Sequence, residues 1–299
     1  MPALLNGKRT TWRNTINIAE KNTKGENVND VKVSIFASAV RPQFFRTFLD
    51  SLVGTTESCE VIFAGHNTLG ELLPLFPQMR MYSDGISSID FSENVLFKYI
   101  HTGKIKPAQC YEIARRACVG ETIAWTADDA VHTPDLYGKA YRFWKEFNDE
   151  KIALSIQTEE NRQYCNMNVH SFFGCRFDTP LMAPLALMSN KVMQDLGGFD
   201  RRYICGQYEN DAIMRLIEAG GRVVIFGDRD NKIILDHYAR HGIHRPFAKG
   251  YNHDREILEG SWTNGAGKVF TTIQRPFEPY EDTDILTKSQ SFNLSSLWV

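Results

Sequence analysis

The stretch Ala117-Cys118-Val119-Gly120-Glu121-Thr122-Ile123-Ala124-Trp125-Thr126-Ala127-Asp128-Asp129 decides how the chain is read. Gly120 stops a helix. Thr122 to Ala127 then forms a nearly continuous apolar run, the pattern of a central strand covered on both faces. The run ends in two adjacent carboxylates, which repel each other and lose solvation together. Such a pair persists where a divalent cation or a ligand hydroxyl compensates it. Its other use would be to cap the next helix, but Thr133-Pro134-Asp135 already offers a cap and a first-turn proline there. Asp128 and Asp129 are therefore expected to face a metal or a ligand.

Upstream, Val31, Val33 and Ile35 alternate into a first strand, and Arg41-Pro42 opens a helix with Phe44, Phe45, Phe48, Leu49 and Leu52 at helical spacing. Glu60 to Ala64 is a second buried strand, closed by Gly65-His66-Asn67. Met79 to Tyr82 is a short strand, and Pro107 starts the helix that Gly120 ends. Downstream, the pattern predicts a helix from the Thr133 cap, strands at Lys151–Ile156 and Pro184–Met188, and a short helix at Asn190–Leu196. A helix near Asp211–Ala219 and strands Arg222–Phe226 and Lys232–Asp236 follow. Residues 158–183 lose periodicity, as binding loops do. Residues 1–30 are a polar extension, and the last 60 or so residues read as loop and short helices. Alternating strands and helices imply an α/β fold, a sheet with helices on both faces and ligands beyond the carboxyl ends of its strands.

Composition narrows the class. Among 299 residues, 34 Lys+Arg against 36 Asp+Glu leave a net charge of −2, which disfavours an electrostatic clamp on nucleic acid. No run reaches the ~20 apolar residues of a membrane span, and the start lacks a signal-peptide core, so a cytoplasmic location is expected. Six dispersed cysteines without a CxxC pair read as reduced thiols. No GxGxxG, GxxxxGK[ST] or GxSxG stretch occurs, which counts against dinucleotide oxidoreductases, P-loop enzymes and serine hydrolases.

Two further clusters carry chemistry. In Gly206-Gln207-Tyr208-Glu209-Asn210-Asp211, Asp211 sits at a helix start and can pair with Arg215 at i,i+4, a structural use. Glu209, one step earlier in the turn, is a candidate general base if burial raises its pKa. His237, His241 and His244 follow a strand with Arg240 and Arg245 between them. Imidazole there could join Asp129 on a metal, and the arginines could hold phosphate.

In order, these segments resemble the GT-A glycosyltransferases of the family-2-like group, over about residues 31–245. Val33 to Arg41-Pro42 is similar to that family's opening segment. Ala117 to Asp129 resembles its A-x-G-E-x-I-x-x-x-x-D-D stretch with the DxD motif. Leu187 to Gly197-Gly198-Phe199-Asp200 is similar to its GGFD turn, and Tyr208 to Leu216 to its ED-x-D-L-x-x-R-L segment. The resemblance implies a GT-A, Rossmann-like, mixed and mostly parallel sheet. Residues 31–130 would form a nucleotide-sugar half, 131–245 an acceptor half, and 246–299 an extension packed on the domain.

It also implies a metal-dependent hexosyl- or pentosyltransferase using a nucleotide-diphospho-sugar, a UDP-sugar first among them, and a glycan or other hydroxyl acceptor. Glu209 would be the base of an inverting transfer, with Asp211 beside it. Ser38, Arg41, Asn67 and Asp128 would bind donor, while Asp129 and His237 would bind Mn2+ or Mg2+. Tyr164 and Trp262 are expected at the acceptor, with Phe172 and Phe173 near. Three positions depart from the family: Gly65-His66-Asn67 lacks the usual acid, Tyr208 replaces the leading acid of the ED pair, and the metal motif shrinks to Ala127-Asp128-Asp129. Those departures leave a silent sugar- or nucleotide-binding protein on the same fold as an alternative, and a transferase acting on a modified nucleic-acid base as another. A nucleotidyltransferase fits worse, because Ala37 to Pro42 contains no glycine.

Overall fold

A computed structural model describes residues 30–81, 86–161, 163–165, 181–235, 248–263, 269–270 and 272–281. The first half holds strands Val33–Ser38 (β1), Cys59–Gly65 (β2), Arg80–Met81 (β3), Ile86–Ser92 (β4), Val95–His101 (β5), Thr122–Trp125 (β6) and Val131–His132 (β7). Between them lie helices Pro42–Asp50 (α1), Leu69–Leu72 (α2) and Pro107–Arg116 (α3), with Leu136–Glu146 (α4) after β7. The second half adds strands Ile152–Ile156 (β8), Thr158–Glu160 (β9), Gln163–Cys165 (β10), Ala186–Ser189 (β11), Arg222–Phe226 (β12) and Ile233–Leu235 (β13). Its helices are Asn190–Asp195 (α5), Tyr208–Glu218 (α6) and Ala248–Trp262 (α7).

Nine strands form one sheet in the order β12-β8-β11-β6-β1-β2-β5-β4-β3, and β10-β9-β13-β7 form a small second one. In the large sheet all strands but β4 and β11 run the same way, so it is mixed and mostly parallel. Side chains alternate across it. Val33, Ile35, Val61 and Phe63 join α1 and α4 in one core, while Phe36, Ile62, Ile123 and Trp125 join α3, α5, α6 and α7 in the other. Helices thus cover both faces. No helix among the described residues is long and apolar enough to cross a membrane.

Proline at the first turn starts α1 and α3 where the pattern placed it. The start of α4 differs from expectation. Its N-cap is Asp135 in the left-handed region (φ 55°), not Thr133. The Thr133 hydroxyl is instead tied to Lys232, just before β13, accepting from its N–H at 2.9 Å. The carboxylate of Asp135 accepts from the Thr56 N–H at 2.8 Å. Neither Asp128 nor Asp129 turns to this helix. The polar C-terminal stretch also differs, because α7 runs through 15 residues of it. Gly65 lets the end of β2 close on the loop after β1: a Cβ there would lie 1.9 Å from the Ala39 carbonyl oxygen. The carboxyl ends of β1, β2 and β6 are thereby drawn together, with α6 starting beside them.

Candidate active site

Asp128 and Asp129 follow β6 and are almost wholly buried, at 2 % and 1 % exposure. The loop after β1 answers them. Arg41 Nε donates to Asp128 Oδ1 at 2.8 Å, a second guanidinium N–H reaches the same oxygen, and Nη1 donates to Asp129 Oδ2 at 2.7 Å. The backbone N–H groups of Val40 and Arg41 donate to Asp128 Oδ2 at 2.9 and 3.1 Å. Burial pulls the Arg41 guanidinium down, but the two carboxylates raise it above its ordinary value. Burial likewise pushes Asp128 up against the pull of Arg41. The charge compensation expected of a cation is here supplied in part by an arginine.

Glu209 lies in the first turn of α6, one turn further into the helix than the sequence pattern suggested. The chain enters that turn through Gln207 in the left-handed region (φ 63°), a costly conformation for a residue with a side chain. Glu209 remains partly exposed as a residue, yet its Oε2 is covered and accepts no hydrogen bond from the described residues. Burial pushes the carboxyl up to about 7, with the N–H groups of Glu209 and Gln207 pulling the other way. An acid poised near neutrality with one free oxygen is what a general base requires.

Asp211 has a different job. It is fully buried, accepts from Arg215 Nε at 2.8 Å through Oδ2, and from Trp262 Nε1 at 2.9 Å through Oδ1. Both oxygens are spent within the core, so the expected catalytic part for Asp211 is corrected to a structural one. Trp262 is corrected with it: at 0 % exposure it cannot stack on an acceptor. Asn67 is also turned inward, its Nδ2 donating to Tyr99 Oη at 3.1 Å and to the Ala39 carbonyl at 3.3 Å, which removes it from the base-reading role. Ser38 closes β1, partly exposed at the strand's carboxyl end. Tyr164 belongs to β10, but its side chain, like His237, Phe172 and Phe173, lies outside the described residues.

A divalent cation in such a site needs several oxygen or imidazole ligands. Among the described residues no three His, Cys, Asp or Glu side chains form such a group. Asp128 has both oxygens engaged, and Asp129 shares one with Arg41. The described donors do not fit a metal centre on their own.

Three residues escaped the sequence reading. Tyr111 on α3 donates to the Thr126 carbonyl at 2.6 Å and packs on Tyr208 at 5.0 Å between ring centroids. Tyr251 on α7 is 40 % exposed, and its hydroxyl feels the charges of both Glu209 and Arg41. Asp254, also on α7, is fully buried against the loop before α6. Only the last two had a signal, an aromatic and an acid three apart in a stretch otherwise polar.

No protein-family model matches the chain, and no curated protein does. Solved structures do. The crystal structure of S. aureus TarS 1-349 aligns with a TM-score of 0.52 at 13 % identity, over 69 % of this chain and 60 % of that one. TarS 1-349 in complex with UDP-GlcNAc aligns at 0.51 and 12 % identity, over 74 % and 64 %. The UDP complex aligns at 0.50 and 13 % identity, over 69 % and 60 %. The chain has the GT-A, Rossmann-like fold of these structures. It thus spans about six-tenths of the TarS structure.

On this fold the sequence departures find physical reasons. Tyr208, in place of an acid, is buried among Tyr111 and Phe199, 5.0 and 5.1 Å away between centroids. A carboxylate could not be placed in that aromatic layer without a partner. Gly65 is fixed by its approach to Ala39, and Asn67 by Tyr99. The loop after β2 is used to brace β5, so no acid stands there.

Proposed function

We propose that the chain transfers a sugar from a UDP-sugar to an acceptor hydroxyl, inverting the anomeric carbon, with Glu209 as general base. The free, covered Oε2 of Glu209 beside the strand ends carries this reading. The solved TarS complexes with UDP and UDP-GlcNAc support a donor of that class. Glu209 takes the proton of the acceptor hydroxyl as its oxygen bonds to the anomeric carbon. The bond from that carbon to the diphosphate breaks, and its electron pair leaves with UDP. Arg41, held in place by Asp128, orients the donor's hexosyl or pentosyl unit and diphosphate, and exposed Tyr251 offers its ring to the acceptor.

One guanidinium against two carboxylates leaves one negative charge where a diphosphate must lie. A Mn2+ or Mg2+ ion is therefore a separate proposal: Asp129 and His237 would hold it, and it would supply the positive charge that the diphosphate needs. Chelation that abolishes turnover, with recovery on added Mn2+, supports the ion; full turnover in chelator assigns the phosphate to the chain's own cations.

The test of the base is a panel of UDP-sugars, scored for transfer and donor hydrolysis in wild type and Glu209→Gln. The variant should lose about 10²–10⁴-fold in turnover while still binding UDP. Because the reactive form is the carboxylate, wild-type turnover should fall as pH drops through about 7. UDP binding with no turnover on any donor would identify a silent binder instead.

A further inference from the structure

The loop that delivers Glu209 is held from outside its own helix as well as by it. Three successive backbone N–H groups converge on one carboxylate: Ile204 donates to Asp254 Oδ1 at 2.9 Å, while Cys205 and Gly206 donate to Oδ2 at 2.7 and 2.8 Å. Asp254 is fully buried and comes from α7, far along the chain. From the other side, the Ile204 carbonyl accepts the Ala108 N–H of α3 at 3.0 Å. Gly206 lies so close to the Tyr251 ring that a Cβ would meet it at 2.6 Å. The next residue is Gln207 in its left-handed conformation, and Glu209 follows two residues on. A strained entry to a helix persists only where its surroundings over-determine it. Here the surroundings are α7 on one side and α3 on the other.

We propose that Asp254 is a positioning residue for the transfer reaction: by pinning the N–H groups of residues 204–206 it fixes where α6 presents the Glu209 carboxyl. The inference rests on Glu209 being the base. Hydrogen bonds from backbone amides to a buried carboxylate are of the strong, charge-assisted kind. Asp254 also acts on Glu209 through space, since its negative charge adds to the burial that holds Glu209 up. The other groups around Glu209 are Cys205 in the loop, Tyr111 on α3, Tyr208 on α6 and Tyr251 on α7. All are neutral near pH 7, because burial raises each of them. His253 Nδ1 lies 3.0 Å from Asp254 Oδ1 and is the adjoining titratable group. Among these, Asp254 is the negative charge.

Asp254→Asn in the full chain tests this with two readouts. The first is the titration of Glu209, followed by carboxyl-carbon resonances of labelled glutamate and assigned by the signal lost in Glu209→Gln. Its midpoint should move to lower pH in Asp254→Asn, because a negative neighbour has been removed. An unchanged midpoint overturns the proposal, as a residue that merely stabilises the fold would leave it where it was. The second is turnover of UDP-N-acetylglucosamine, expected to fall roughly 10–100-fold with the KM for donor within about twofold. Wild-type turnover overturns the proposal. If Asp254→Asn does not fold, Asp254→Glu keeps the charge and lengthens the arm; reduced turnover at an unshifted midpoint supports positioning, and wild-type turnover overturns it. Turnover retained in Glu209→Gln instead refutes the reading of Glu209 as base, and is thereby distinguishable.

Discussion

Arg41 meets two buried carboxylates through three separate N–H groups, with two oxygens bound on different residues. That geometry belongs to a planar fork and not to a single ammonium. Arg41→Lys would keep the charge but lose the rigid fork that spans the two acids. With a charged hydrogen bond worth about 1.5–3 kcal/mol, the variant should bind UDP at least about tenfold more weakly, measured by titration calorimetry. Unchanged UDP affinity would remove Arg41 from the donor site. At this scale the sequence was legible where a residue sits next to a pattern break: Asp128, Asp129, Arg41 and Glu209 all stand at strand or helix ends. Asp211 makes the i,i+4 pair with Arg215 that its spacing predicts, but its catalytic part and the place of Trp262 at the acceptor fail, because the burial of these two residues is mutual and long-range. The indole and the acid lie 51 positions apart, and nothing in either neighbourhood announces the other.

Among the elements, β1, β2, β6, β8 and β11 were legible because both their faces are apolar. The pair β4 and β5 was not. Its alternation is broken by Ser87, Ser88, Asp90 and Lys98, yet β5 pairs with β2 inside the large sheet. Lys98 is tolerated there because its Nζ donates to buried Glu60 at 2.6 Å, a partnership between strands that no local window contains. Helix α7 was hidden for a related reason: Lys249, Asn252, Arg255 and Glu256 face outward, and only Leu258 and Trp262 are large and buried. The short strand β7 carries a prediction of its own. His132 sits 2.9 Å from Ser51 Oγ through Nδ1, with its ring against Phe48, and burial drives its pKa down to about 3. In the unfolded chain it returns to about 6.5, so between the two values the unfolded state binds the extra proton. Stability from neutral His132 is complete above about pH 6.5 and is lost as pH falls toward 3. Between pH 6.5 and 5 the loss should approach about 2 kcal/mol. Thermal melts of His132→Gln should start lower at pH 7 but decline less steeply with acid than wild type; parallel declines would show that His132 does not set the slope.

The molecule as a whole is closed by its C-terminal segment, not by the sheet alone. Trp262 reaches Asp211, Asp254 holds residues 204–206, the Ile273 N–H donates to Glu218 Oε1 at 2.9 Å, and the Tyr280 carbonyl accepts from Arg116. Phe277 lies against the Arg215 guanidinium, 4.2 Å from its ring centroid. These contacts all land on α3, α6 or the loop between β11 and α6, the side of the sheet that carries Glu209. Among the described residues none lands on α1 or α4. Removing the segment would leave Asp211 with one partner fewer and Arg215 without its aromatic cover. It would also leave Leu258 and Trp262 missing from a core that includes Ile213 and Met214. Loss of one large aromatic from a core costs about 3–5 kcal/mol, and several such losses together rival the whole stability of a domain, about 5–15 kcal/mol. A chain ending at residue 247 should therefore lose its cooperative melt, or melt at least about 10 °C lower, with collapse of near-ultraviolet dichroism from the aromatic layer around Tyr111 and Tyr208. The asymmetry gives the prediction its edge. Amides of β1 and β2, braced by α1 and α4, should retain hydrogen-exchange protection in the truncated chain after those of α6 have lost theirs. Equal loss across both halves would mean that the C-terminal segment supports the sheet itself rather than the side that carries Glu209.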